Sequence, residues 1–106
     1  MKLWIDDVRP APEGYTWVKS VNEAMWRIES AEDIAAIFPT DKPPIELIDI
    51  DHDAGDYVLK GGDYIKLLDW LEETGRNYPI RIHSMNPVGR ENMRRIIQRN
   101  GWTEVR

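Results

Sequence analysis

Short apolar runs alternate with helical patterns along the chain. Four runs are rich in aromatic and β-branched side chains, which predicts strands: Leu3 to Ile5, Tyr15 to Lys19, Ile45 to Ile50 and Ile80 to His83. Thr103 to Val105 is a weaker fifth candidate. No repeat interrupts this order, so residues 1–106 are expected to form a single domain.

Three helices are predicted between these strands. The first begins at a capping box over Ser20 to Glu23, and its far end stays open because Ser30 to Asp33 resembles a second cap. The second opens at Gly61-Gly62-Asp63, and the third begins at Asn86-Pro87, where Asn caps and Pro suits the first helical position.

The alternation of strands and helices predicts an α/β fold. We expect a three-layer sandwich with a mostly parallel sheet of four to five strands, covered by helices on both faces. The segment Val8 to Gly14 holds no helix, although parallel neighbours normally need a longer connection. The second strand is therefore expected to be antiparallel or to lie loosely at the edge.

Carboxylates follow two of the predicted strands. Asp6 and Asp7 close the first strand, and Asp51 and Asp53 close the third. The carboxyl ends of parallel strands share one edge, where crowded carboxylates favour a hard divalent ion such as Mg²⁺ or Mn²⁺. All four are candidate ligands, whereas Asp49 is expected on an exposed strand face. The alternative is a set of solvated loop acids that cap turns.

The chain contains two histidines, His52 and His83, and both stand at predicted strand ends beside the acids. Histidine exchanges protons near neutral pH, so these two with Asp51 are the candidate catalytic residues. The alternative is a structural histidine that is hydrogen-bonded to backbone.

A second group of residues has the chemistry of a phosphate site. Helix starts expose N–H groups that suit phosphate, and arginine adds paired donors. The candidates are Ser84, Asn86, Gly89, Arg90 and Arg9. A turn hydroxyl, an ordinary helix cap and an ion pair from Arg9 to an aspartate are the alternatives.

The net charge and composition of the chain limit the kinds of ligand and macromolecule that it can bind. The net charge of −5 and a pI near 5.0 disfavour long nucleic acids and anionic membranes, whereas a small phosphorylated ligand remains compatible. The chain has no cysteine and no long apolar stretch, so we expect a cytoplasmic protein. An exposed Trp26, which lies off its helix's apolar stripe, would favour a protein partner.

The acidic pair after the first strand, Asp51 after the third and Ser84 after the fourth resemble the receiver domains of two-component signalling. Three segments are more similar to the receiver-like family predicted to process cyclic phosphates: Asp6 to Pro10, Asp51-His52-Asp53 and His83 to Arg90. The resemblance implies a flavodoxin-like fold whose first helix is reduced to the loop Arg9 to Gly14.

That family implies a metal-dependent phosphoesterase that hydrolyses a cyclic phosphate. Two alternatives stay open: a regulatory receiver that accepts a phosphoryl group on Asp51, and a module that only binds a protein partner. The fifth strand lacks the lysine of ordinary receivers, which argues against efficient phosphoryl acceptance. A toprim-like fold with similarly divided acids is a further alternative.

Overall fold

The computed structural model describes all 106 residues and contains one sheet of five parallel strands. The strands are β1 (Lys2–Ile5), β2 (Tyr15–Val18), β3 (Leu47–Ile50), β4 (Ile80–Ile82) and β5 (Glu104–Val105), in the spatial order β2-β1-β3-β4-β5. The helices are α1 (Val21–Ile37), α2 (Ile65–Glu73) and α3 (Pro87–Asn100). The α/β, receiver-like fold expected from the sequence is confirmed.

The second strand runs parallel to the first and lies at the sheet edge. Lys2 pairs with Tyr15 and Ile5 pairs with Val18, so the chain returns through the loop after β1 to start β2 beside the beginning of β1. The antiparallel alternative was therefore wrong. The loop is long enough because β1 spans only four residues, about 13 Å of strand.

Helix ends follow their capping signals with two exceptions. The Ser20 hydroxyl accepts from the Glu23 N–H, as the predicted capping box requires, whereas the Glu23 carboxylate accepts from the Lys19 N–H, one residue before the cap. The helix then continues through Ser30 without using the second cap. The second helix starts later than expected because the Asp63 carboxylate accepts from the Ala54 N–H instead of capping it.

The helices cover one face of the sheet. Each helical connection carries the chain in the same direction across the sheet, from β2 to β3, β4 and β5, and right-handed crossovers in one direction place their helices on one side. Thr16 of β2 and Glu104 of β5 are partly buried on that side. The other strand side chains there are buried in the core: Leu3, Ile5, Val18, Ile48, Ile50, Ile80 and Ile82.

The opposite face carries no helix, which differs from the expected third layer. The connection from β1 to β2 crosses in the other direction and would supply that layer, but it is a loop. Strand residues on this face are aromatic, charged or partly exposed, and we call it the bare face: Lys2, Trp4, Tyr15, Trp17, Leu47, Asp49, Arg81 and Val105. The loop covers part of it, since the Trp4 indole N–H donates to the Arg9 carbonyl over 2.9 Å.

Two neighbouring residues of β3 test this one-sided core. Ile48 is fully buried against the helices and Leu47 is half-buried on the bare face. We expect Ile48→Ala to lower the free energy of unfolding in urea by about 3 kcal/mol, because it leaves a cavity. Leu47→Ala is expected to cost about 1 kcal/mol or less. Equal losses in the two variants would contradict a core confined to one face.

Candidate functional site

Three carboxylates meet where β1 and β3 end. Asp6 and Asp7 follow β1, Asp51 follows β3, and one oxygen from each side chain lies within 4.8 Å of the others. Parallel pairing aligns these ends, because Ile5 lies opposite Ile50 in the register. We call Asp6, Asp7 and Asp51 the acidic cluster.

Charge repulsion within the acidic cluster falls mainly on Asp7. Burial raises the pKa of the Asp7 carboxyl, and the nearby charges of Asp6 and Asp51 raise it further, although a backbone hydrogen bond opposes them. The side chain is also confined sterically. Gly55 has a φ of +55°, and a Cβ added there would lie 2.2 Å from an Asp7 carboxylate oxygen.

Asp6 is buried but well compensated. Burial alone would raise its pKa, yet the backbone N–H groups of Arg9 and Val8 and the His83 ring together hold the pKa of Asp6 below its ordinary value. The two N–H groups donate to the same carboxylate oxygen over 2.9 Å each. Asp6 is therefore the fixed member of the acidic cluster.

The His83 ring lies between two carboxylates. Its Nε2 atom is 3.0 Å from Asp6 and its Nδ1 atom is 2.7 Å from Asp49, while its flat side stacks on Trp4 with 3.9 Å between ring centroids. Both ring nitrogens therefore lie within hydrogen-bond distance of a carboxylate, which fixes the ring between the two acids. We call Asp6, His83 and Asp49 the triad.

Asp49 was wrongly expected on an exposed strand face. Strand alternation does place it on the bare face, but Asp49 is 0% exposed because neighbouring side chains cover it. Besides His83, its carboxylate accepts from the Tyr15 hydroxyl over 3.4 Å and lies 3.8 Å from the Arg81 guanidinium. A signal was present in the sequence, since Trp4, Asp49 and His83 share one alternation phase on adjacent strands.

His52 has a different environment. Its Nδ1 atom lies 2.9 Å from the Asp53 carboxylate, whereas its Nε2 atom makes no hydrogen bond within the protein. The ring packs against the start of α3, where a Cβ added to Gly89 would lie 2.4 Å from the ring. Asp53 itself is 63% exposed and lies outside the acidic cluster, contrary to its prediction as a ligand.

The residues predicted to contact phosphate lie in different surroundings and make different contacts. The buried Ser84 hydroxyl accepts from the Asn86 N–H, and the Asn86 side chain accepts from the Gly89 N–H as the cap of α3. Arg90 points along α3 into a groove whose lining contains none of the acidic cluster. Arg9 is exposed and forms no ion pair, so the ion pair considered for it is absent.

The donor set of the acidic cluster fits a metal ion. Three carboxylate oxygens within reach of one ion are typical of hard divalent cations, which usually keep several waters beside one or two carboxylates. A cation there would also offset the burial and the repulsion that raise the pKa of Asp7. The acidic cluster could therefore hold a metal ion, with the triad fixing one of its members.

Metal binding can be tested by thermal unfolding. At a Mg²⁺ or Mn²⁺ concentration about 100 times Kd, a bound ion adds about 2.7 kcal/mol of stability, which raises Tm by roughly 10 °C. We expect Asp51→Asn to abolish this rise and Asp53→Asn, the same change outside the acidic cluster, to retain it. In EDTA, Asp51→Asn should unfold at a higher temperature than the parent, because Asp7 loses a repelling neighbour. Equal metal responses in the two variants would contradict the assignment.

None of the helices is both long enough and apolar enough to cross a membrane. Comparison with curated proteins and with solved structures finds no match. One family model does match, described as "Cyclic-phosphate processing Receiver domain", and it spans residues 1–99. The match covers every element of the structure except Asn100, the last residue of α3, and the short strand β5. The chain therefore belongs to the family of cyclic-phosphate processing receiver domains.

Proposed function

We propose that the protein is a divalent-metal-dependent phosphoesterase that opens a cyclic phosphate on a small molecule, in the cytoplasm. The observation that carries this proposal is the acidic cluster, with His52 directly after Asp51 in the chain. The family description agrees with a cyclic phosphate as the ligand. A small ligand also suits a protein whose net charge of −5 disfavours long polyanions.

The metal-holding residues in this proposal are Asp7 and Asp51, with Asp6 as a third carboxylate. A bound Mg²⁺ or Mn²⁺ would stabilise negative charge on the phosphoryl oxygens and make water easier to deprotonate. Asp7 is suited to bind it because repulsion from its neighbours is relieved when a cation arrives. Asp6 keeps its position through the two backbone N–H groups and His83.

We assign proton transfer to His52. Hydrolysis joins a water oxygen to phosphorus, breaks one P–O ester bond of the ring and requires a proton on the departing alkoxide oxygen. The His52 Nε2 atom makes no hydrogen bond within the protein and can deliver that proton. The proton that the attacking water loses then returns to the His52 imidazole. Asp53 orients the ring from its other nitrogen over 2.9 Å.

We assign His83 a positioning role in place of proton transfer to the ligand. Both of its ring nitrogens contact buried carboxylates, and one ring face is covered by Trp4. We propose that His83 holds the Asp6 and Asp49 side chains in place through these hydrogen bonds, so that the acidic cluster keeps its geometry. The Ser84 hydroxyl can still donate one hydrogen bond, since it only accepts from Asn86, and we propose that it contacts a phosphoryl oxygen.

The two histidines give separable predictions. With Mn²⁺ and cyclic nucleoside monophosphates, His52→Gln should lower kcat about 100-fold or more through loss of general acid catalysis. Its metal-induced rise in Tm should persist. His83→Gln should weaken that rise as well, because Asp6 loses a hydrogen-bond donor. Full turnover by His52→Gln would remove the proposed role of this residue.

A second candidate function is phosphoryl acceptance on Asp51, as in receivers. It is favoured by the position of Asp51 at the end of β3, beside two further carboxylates and one strand from Ser84. The short strand β5 carries Glu104 and Val105 and supplies no lysine to contact an acylphosphate.

Intact-mass measurement after incubation with acetyl phosphate and Mg²⁺ tests this candidate. Because β5 supplies no lysine to contact the acylphosphate, we expect no lasting adduct on the parent protein. A phosphoryl adduct that is present on the parent and absent from Asp51→Asn would favour the receiver function over hydrolysis.

A further inference from the structure

Four arginines from three elements line one groove beside α3. Arg81 comes from β4, Arg90 and Arg94 from α3, and Arg106 follows β5. The groove has a volume of about 310 Å³ and continues past Arg90 and Arg94 into a second cavity of about 290 Å³ at the start of α3. We call it the arginine groove.

Positive charge in the arginine groove exceeds the negative charge that faces it. Glu104 is the acidic side chain in its lining, and it binds Arg94 through two nitrogens at 2.7 and 2.9 Å. Arg106 lies 3.8 Å from the same carboxylate, and Arg90 forms no ion pair. Arg81 lies 3.8 Å from Asp49, so four arginines face two carboxylates and positive charge remains in excess. Such an excess is a local exception in a protein with a net charge of −5.

Three of the groove arginines, Arg90, Arg94 and Arg106, lie close enough to affect the same carboxylate, that of Glu104. A hydrogen bond from Arg94 lowers the pKa of Glu104, and the charges of Arg106 and Arg90 lower it further. The Arg94 side chain is 19% exposed and fixed by its two-point contact, so its guanidinium is already oriented. Glu104 offsets part of the repulsion among these arginines, and a bound anion would offset more of it.

We propose that the arginine groove binds a phosphoryl group in addition to the acidic cluster. Arginine suits this ligand because its planar fork matches phosphate oxygens with paired donors. The two sites share no residue, and β4 separates the strand of Asp51 from β5, which places them about 10 Å apart across the sheet. The proposal does not depend on metal binding or hydrolysis.

Titration with inorganic pyrophosphate in EDTA tests the arginine groove without the metal. Chemical shifts of the arginine side-chain N–H groups are followed by NMR for the parent and four variants. We expect saturable shifts at Arg90 and Arg94 and about tenfold weaker binding for Arg90→Ala, the equivalent of roughly 1.4 kcal/mol. Arg95→Ala, on the same helix but outside the groove, should bind within about twofold of the parent, because loss of one exposed charge is largely screened.

Glu104→Gln is expected to raise the affinity for pyrophosphate, whereas Arg90→Ala lowers it. It removes the carboxylate that competes for Arg94, so pyrophosphate should bind more tightly, while the amide keeps the side-chain volume. The proposal is overturned by shifts that do not saturate, by equal losses in Arg90→Ala and Arg95→Ala, or by unchanged affinity in Glu104→Gln. Asp51→Asn separates this site from the proposed enzyme, because it should abolish turnover and leave pyrophosphate binding in EDTA unchanged.

Discussion

Repulsion between carboxylates at one edge of a parallel sheet is the constraint around which this domain is arranged. The sheet aligns the ends of β1 and β3, and that alignment forces Asp6, Asp7 and Asp51 together. Asp6 and Asp7 accommodate this repulsion in different ways. Asp6 is compensated inside the protein by backbone N–H groups and His83, whereas Asp7 keeps a raised pKa. The uncompensated member is the one that gains most from a cation.

Compensation of Asp6 extends across three strands. His83, directly after β4, joins Asp6 after β1 to Asp49 on β3, and Trp4 stacks on the ring from the bare face. Breaking one contact of such a buried polar network leaves the remaining groups unpaired, which costs more than the contact itself contributes. The shape of the acidic cluster therefore depends on residues that need not touch a ligand.

Much of this arrangement could be predicted from the sequence. The strand-end positions of Asp6, Asp7 and Asp51 follow from apolar runs and parallel connections, and the cap at Asn86 follows from local chemistry alone. Alternation along each strand indicates that Trp4, Asp49 and His83 share a face, but the burial of Asp49 depends on the register between β1, β3 and β4, which no local pattern contains. The distinction between His52 and His83 likewise depends on which neighbours reach each ring nitrogen. These are long-range properties of the packed sheet.

The one-sided sheet separates the residues that hold the fold from those that surround the site. Apolar side chains of β1, β3 and β4 pack under the helices, while Trp4, Asp49 and His83 occupy the other face or the edge above it. Substitutions that alter chemistry therefore act largely on a different layer from substitutions that alter folding. A lineage built on this scaffold can change its ligand with little loss of cooperative folding, and the usual conflict between acquiring new activity and remaining folded falls on few positions.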